Sequence, residues 1–136
     1  MFRRNHKHQV KSSLTNPIEY PVGSAVRTEE GLFYIKSKTI RMRIPSERVL
    51  ESWSFHRVIT SNEVCLKNYK ILGKLGFRSG SLLYNIATGK MYLVSENLLR
   101  HVQSPEALDL IGAVYDDAVT VSNTDIKLHD EGLPLT

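Results

Sequence analysis

The feature that most constrains this chain is an internal repeat. Residues 31–50, GLFYIKSKTIRMRIPSERVL, lie without a gap against residues 89–108, GKMYLVSENLLRHVQSPEAL. Gly31, Tyr34, Ser37, Ser46 and Leu50 meet Gly89, Tyr92, Ser95, Ser104 and Leu108. These five identities exceed the roughly one that average composition supplies over such a length. The apolar residues Ile35, Ile40 and Ile44 face Leu93, Leu98 and Val102. The flanks agree as well. Val22-Gly23-Ser24 returns as Ser79-Gly80-Ser81, and the run Val58 to Asn62 returns as Val119 to Asn123, with three extra residues expected in the second copy around Ala113 to Ala118. A repeat of this size implies one supersecondary unit built twice. The expected organisation is an arm over 1–16, a first unit over 17–74 and a second over 75–136. Units of about 60 residues are marginal when folded alone.

Each unit reads locally as ββ(β)-α-β, which makes the expected fold class α+β and β-rich. Short β-prone runs flank Glu29-Glu30-Gly31 and Thr88-Gly89, the pattern of a hairpin with glycine at its turn. Ile40 to Ile44 alternates apolar and basic, so a strand is expected with Ile40, Met42 and Ile44 inside and Arg41 and Arg43 outside. Ser46-Glu47 and Ser104-Pro105-Glu106 openings then start a helix in each copy, the first over Glu47 to Trp53, with serine as N-cap and an acid in the first turn. Trp53 and Phe55 are expected largely buried over Ile40, Met42 and Ile44. The stretch Gly73 to Phe77 reads as the joint between copies.

Charge is distributed unevenly. Residues 1–16 hold Arg3, Arg4, Lys7 and Lys11 and no acid, so a flexible basic arm is expected. Residues 17–74 hold 10 basic and 6 acidic groups, a balance of +4, and residues 75–136 hold 4 and 8, a balance of −4. Lys36, Arg41 and Arg43 are expected on an exposed basic face. Their counterparts in the second copy are not basic, which favours a protein-facing patch over a nucleic-acid surface. The remaining chemistry is sparse. No phosphate-binding glycine pattern occurs, the five histidines lack metal-ligand spacing, and the single cysteine, Cys65, sits between Val64 and Leu66 as a small buried residue would. No catalytic, metal or cofactor site is expected, and no stretch approaches the length of a membrane span.

The strings Tyr20-Pro21-Val22-Gly23-Ser24 and Arg43-Ile44-Pro45-Ser46 through Ser52-Trp53, followed in the second copy by Ser79-Gly80-Ser81 and Lys90-Met91-Tyr92-Leu93-Val94, resemble a tandem module of the pattern G-S…Y-x-I…I-P-S…SW-x-F. Such modules occur in proteins of tailed bacteriophages and in bacterial surface proteins. Ile111-Gly112 stands where the pattern has the Trp53-Ser54 pair. The resemblance implies a non-catalytic structural component of a virion, in the tail or head–tail connector, assembled in the host bacterial cytoplasm. Its partners would be other virion proteins, met in multiple copies of a symmetric assembly. A capsid decoration or minor capsid protein, a cell-wall-binding module and a nucleic-acid-binding accessory protein are the alternatives. The basic residues Arg3, Arg4, Lys7, Lys11, Lys36, Arg41 and Arg43 are the expected partner contacts.

Overall fold

A computed structural model describes residues 15–135. Among the described residues the fold is mixed α+β and rich in strand, with two five-stranded sheets and three short helices. The first sheet contains β1 (Ala25–Thr28), β2 (Gly31–Ile35), β3 (Ile40–Arg43), β4 (Val58–Thr60) and β5 (Lys70–Lys74), in the order β4-β1-β2-β3-β5. The second contains β6 (Leu82–Asn85), β7 (Lys90–Ser95), β8 (Leu98–Val102), β9 (Val119–Val121) and β10 (Asp130–Glu131), in the order β9-β6-β7-β8-β10. The orders are the same, and so are the directions. In each sheet the first three strands form an antiparallel meander, and the fourth and fifth add in parallel at opposite edges. Two parallel edge strands on one meander are not a default topology, so their recurrence supports duplication more strongly than the identities do.

Helix α1 (Glu47–Ser52) and helix α2 (Pro105–Leu110) start alike. Ser46 Oγ accepts from Val49 N–H and Ser104 Oγ from Ala107 N–H, which satisfies one orphan donor of each first turn. Each helix ends at a residue with positive φ, Ser54 and Gly112. A third helix, α3 (Asn123–Ile126), follows β9 behind a Ser122 cap. By contact density the described chain divides into residues 15–45 with 54–75, and residues 46–53 with 76–135. The contiguous halves are therefore crossed by one segment, because α1 belongs to the second unit. There Trp53 Nε1–H donates to Gly76 O at 2.8 Å, Arg78 N–H donates to Ser52 Oγ at 3.2 Å, and Arg48 lies 3.4 Å from Asp125. Trp53 and Phe55 are half-buried, in contrast to the sealed core positions expected of them.

Strand register corrects the residue-by-residue match. Gly23 N–H donates to Ile35 O and Ile35 N–H to Ser24 O, while Gly80 N–H donates to Val94 O and Val94 N–H to Ser81 O. Ile35 therefore corresponds to Val94, Phe33 to Tyr92 and Tyr34 to Leu93. Gly31 corresponds to Lys90 and not to Gly89. Between β3 and β8 the ungapped match holds: Phe33 pairs with Arg43 as Tyr92 pairs with His101, so Ile44 answers to Val102 and, on the helix, Leu50 to Leu108. The slip arises in the turns. The β1–β2 connection has two residues and the β6–β7 connection four, while β7 and β8 join through Glu96-Asn97, both at positive φ, a tighter link than Ser37-Lys38-Thr39. At the fourth strand Val26 pairs with Ile59 and Leu83 with Val119, so Ile59 matches Val119 and the second copy carries two extra residues, not three.

The same register exposes a shared clasp. Tyr20 N–H donates to the buried Tyr69 hydroxyl at 2.8 Å, and Phe77 N–H donates to the buried His129 Nε2 at 2.9 Å. These are equivalent positions, because Lys70 pairs with Ile40 as Asp130 pairs with Leu98. His129 Nδ1 lies 2.9 Å from Asn97 O, so Nδ1 carries the proton and Nε2 is free to accept. The imidazole packs so closely on Gly76 that a Cβ there would lie 2.5 Å from His129 Cε1. Two substitutions test the clasp. Tyr69→Phe removes the acceptor of a buried N–H and should lower the unfolding free energy by about 1–3 kcal/mol. Gly76→Ala forces the His129 ring aside and should cost about 1–3 kcal/mol. Urea unfolding followed by tryptophan fluorescence measures both.

Candidate functional site

The basic strand does not present the face expected of it. On β2 and β3 the side chains of Phe33, Ile35, Arg41 and Arg43 share one face of the sheet. The connection that carries Cys65, Leu66 and Tyr69 covers this face, packing those residues with Val26 and Ile35. Arg41 is consequently buried, at 5% exposure, where the alternation had placed it outside. Its guanidinium is held by Glu63 through two bonds, NH1 to Oε2 at 2.8 Å and NH2 to Oε1 at 2.7 Å, and it stacks 4.3 Å from the Phe33 ring centroid. Arg43 lies over the other part of that ring at 5.1 Å, and its NH1 donates to Glu30 O at 3.3 Å. Thr28 Oγ1–H completes the cluster by donating to Glu63 Oε2 at 2.6 Å. The hydrogen bonds from Arg41 outweigh burial and hold the Glu63 carboxyl below its ordinary pKa, with Thr28 and the charge of Arg43 adding to the effect. Arg41 Nε alone is buried with no hydrogen-bond partner among the described residues.

This cluster is a structural clamp. In the second unit the same three positions are neutral: Leu99 replaces Arg41, Asn123 replaces Glu63 and Asn85 replaces Thr28. Asn85 Nδ2–H donates to Asn123 Oδ1 at 2.8 Å, and the His101 ring stands 5.5 Å from that of Tyr92 where Arg43 meets Phe33. Of the basic residues expected to contact partners, Lys36 is exposed at the end of β2, Arg43 is half-buried on Phe33 and Arg41 is inaccessible. Arg3, Arg4, Lys7 and Lys11 lie outside the described residues.

Surface concavity offers a better candidate, and again it is duplicated. In the first unit a cleft of about 300 Å³ is lined by Pro21 to Ala25 and by Phe55, His56, Arg57 and Ile59. In the second a cleft of about 550 Å³ is lined by Ser52, Gly80 to Leu82, Leu93, Ile111, Ala113, Asp117 and Val119. The register makes Gly23, Ser24, Ala25, Phe55 and Ile59 equivalent to Gly80, Ser81, Leu82, Ala113 and Val119. Both clefts therefore sit between the Gly-Ser turn, the helix exit and the fourth strand. In the first, Phe55 packs 6.1 Å from Tyr34 and narrows the space. In the second, Ala113 and Leu93 stand at those two positions, and the cleft is correspondingly wider. The segment that supplies Ile111, Ala113, Asp117 and Val119 to its lining also carries exposed apolar side chains: Leu110 is 72% accessible, Val114 60%, Tyr115 61% and Val119 41%, all within ten residues of sequence. The extra residues of the second copy fold as a 3-10 turn, Tyr115–Asp117, in which the Asp117 carboxylate accepts from Val114 N–H.

Sequence reasoning gave no hint of this cleft, because its lining comes from four separated segments. A match of Phe55 to Ala113 across the copies was the one available signal. Among the described residues no group of three His, Cys, Asp or Glu side chains is disposed to hold a metal ion, and no helix is long and apolar enough to cross a membrane. In comparison with known proteins the chain matches no family model, no curated protein and no solved structure.

The clamp yields a test by substitution and by pH. Glu63→Ala strands a buried guanidinium and should destabilise the protein by about 3 kcal/mol, whereas Arg41→Leu combined with Glu63→Asn, the solution of the second unit, should stay within about 1 kcal/mol of the parent. Glu63 binds its proton less readily folded than unfolded. Its contribution is therefore complete above the ordinary glutamate range and is lost as pH falls through its lowered folded pKa. The double variant should lose less stability than the parent over that acid interval, measured by urea unfolding at a series of pH values.

Proposed function

We propose that this chain is a non-catalytic assembly protein that docks through the cleft of its second unit, and that its setting is the virion of a tailed bacteriophage, in the tail or head–tail connector. One observation carries the docking part. Leu110, Val114, Tyr115 and Val119 are exposed on the segment 110–119, which also supplies Ile111, Ala113, Asp117 and Val119 to the lining of a wide, largely apolar cleft, and exposed apolar surface on a small protein marks a site of association. Tyrosine on such a surface supplies large contact area at low entropy cost. The first unit, whose cleft is smaller and lined by Phe55, acts as scaffold. The virion setting comes from the resemblance of the G-S…Y-x-I…I-P-S…SW-x-F pattern to phage modules, and the duplicated β-rich architecture accords with a structural role.

Two measurements test this reading. Particles purified from bacteria that produce the phage encoding this chain should contain it in fixed ratio to the major virion proteins after washing in high salt. Leu110→Glu with Val119→Lys should leave the isolated protein folded, since both side chains are exposed, and should abolish incorporation. Absence of the chain from washed particles would defeat the virion setting. Normal incorporation of the double variant would defeat the cleft as the docking surface.

A further inference from the structure

We propose that the occupant of the second-unit cleft is the basic segment 1–14 of a second copy of this chain. The inference rests on the assembly reading above and names the partner. Its ground is complementarity of charge and polarity. The segment carries Arg3, Arg4, Lys7 and Lys11 without an acid, interspersed with the apolar Phe2 and Val10. The cleft presents an apolar floor from Leu82, Leu93 and Val119. Asp117 lines it, and the segments that run into its lining residues Ile111, Ala113 and Asp117 are acidic, with Glu106 and Asp109 on α2 and Asp116 beside Asp117 on the 3-10 turn. None of these four carboxylates enters an ion pair among the described residues. An apolar bed with carboxylates beside it suits a segment that carries both cations and apolar side chains.

The equivalent cleft of the first unit sharpens the choice. It is lined by His56 and Arg57 and by the Phe55 ring, so it is both smaller and of the wrong sign for this segment. Rejection by one copy of a repeat and acceptance by the other makes the contact heterologous: every molecule has one segment to give and one cleft to fill. Contacts of that kind propagate into rings or open filaments. Because the carboxylates beside the cleft are exposed, they act mainly on encounter and orientation and are screened within about 8 Å at physiological salt. Association should therefore weaken as salt is raised, with the apolar floor keeping a residue of affinity.

Charge reversal on each side of the contact tests this in the full-length protein. One variant carries Arg3→Glu with Arg4→Glu. The other carries Asp109→Lys with Asp116→Lys, chosen because both side chains are exposed and accept no hydrogen bond that holds the fold. Sedimentation velocity over a range of concentrations should show the parent forming oligomers larger than dimers, with association about tenfold or more weaker for either variant alone. An equal mixture of the variants should again form the larger oligomers, since the basic segment of one meets the acidic cleft of the other and the reversed segment meets the reversed cleft. A chain bearing all four changes should again form the larger oligomers. Undiminished association of the segment variant would overturn the inference while leaving the assembly reading intact. A parent that stays monomeric at every concentration would overturn it too, and incorporation into particles would then decide the assembly reading separately.

Discussion

In each unit a buried ring takes the backbone N–H of the chain as it enters. The Tyr20 N–H meets the Tyr69 hydroxyl, and the Phe77 N–H meets His129 Nε2, across 49 and 52 residues of sequence. An unmade bond at such a buried donor costs about 1–3 kcal/mol, a large share of what a small domain has. The bond also fixes geometry. The entering residue leads through the Gly-Ser turn into the first strand, and the ring residue immediately precedes the fifth strand, so one contact ties the start of a unit to its far edge. Tyrosine and histidine perform the same task with different constraints. The tyrosine hydroxyl accepts without further conditions, whereas the imidazole accepts only with its proton on Nδ1, and Asn97 O at 2.9 Å supplies the reason for that proton to stay there. The glycine at position 76 follows from the ring's closeness, and the clasp thus dictates sequence well beyond its own two residues.

With that frame shared, the interiors of the two units were free to diverge. The first uses an ion pair, Arg41 with Glu63, at the place where the second uses Leu99 with Asn123. A buried ion pair carries a desolvation penalty that only good geometry offsets, and here the geometry is two short bonds, a third from Thr28 and a ring beneath the guanidinium. The neutral version needs no such precision. The Thr28 and Asn85 positions show how local chemistry bridges the two solutions: Thr28 Oγ1 accepts from Glu30 N–H, and Asn85 Oδ1 accepts from Ala87 N–H, both at 3.0 Å, so each residue shapes its turn while still reaching its cross-strand partner.

Much of the architecture was legible in the residues, and what was not has identifiable causes. Ser104-Pro105-Glu106 announced a helix because capping is local chemistry. The repeat announced two units because strand and helix order survive in ordinary residue matches. Register did not survive, since Gly31 with Gly89 and Tyr34 with Tyr92 are identities of type that unequal turns displace by one position. The strands β5 and β10 were invisible. Lys70 to Lys74 and Asp130-Glu131 are polar edge segments recognisable only by the strand they join, and the first had read as part of a joint. The faces of β3 were inverted for a simpler reason. Alternation reports inside and outside only where one face of a sheet meets water, and here the connection over residues 61–69 covers the face that holds the arginines. The partner that neutralises Arg41 stands 22 residues away, beyond any spacing rule.

The clefts show how duplication can leave the same structural position with two different surfaces. A single unit of this fold has a dent where the Gly-Ser turn, the helix exit and the fourth strand converge. Phe55 lines and narrows it in the first copy, making a ring contact with Tyr34. In the second copy alanine stands at that place, two residues are added at the helix exit, and the surplus chain turns outward with Val114 and Tyr115 exposed. No change to the clasp, the strand order or the helix caps was required. Stability resides in the parts the copies share, and the surface most open to a partner resides in the part where they differ. In a homogeneous pair of units, any partner fitting one cleft would fit the other and the contact would have no direction. On the docking reading proposed above, a smaller cleft lined by Arg57 and a wider one lined by Asp117 would leave one way for a partner to bind, which is the property a directional assembly needs.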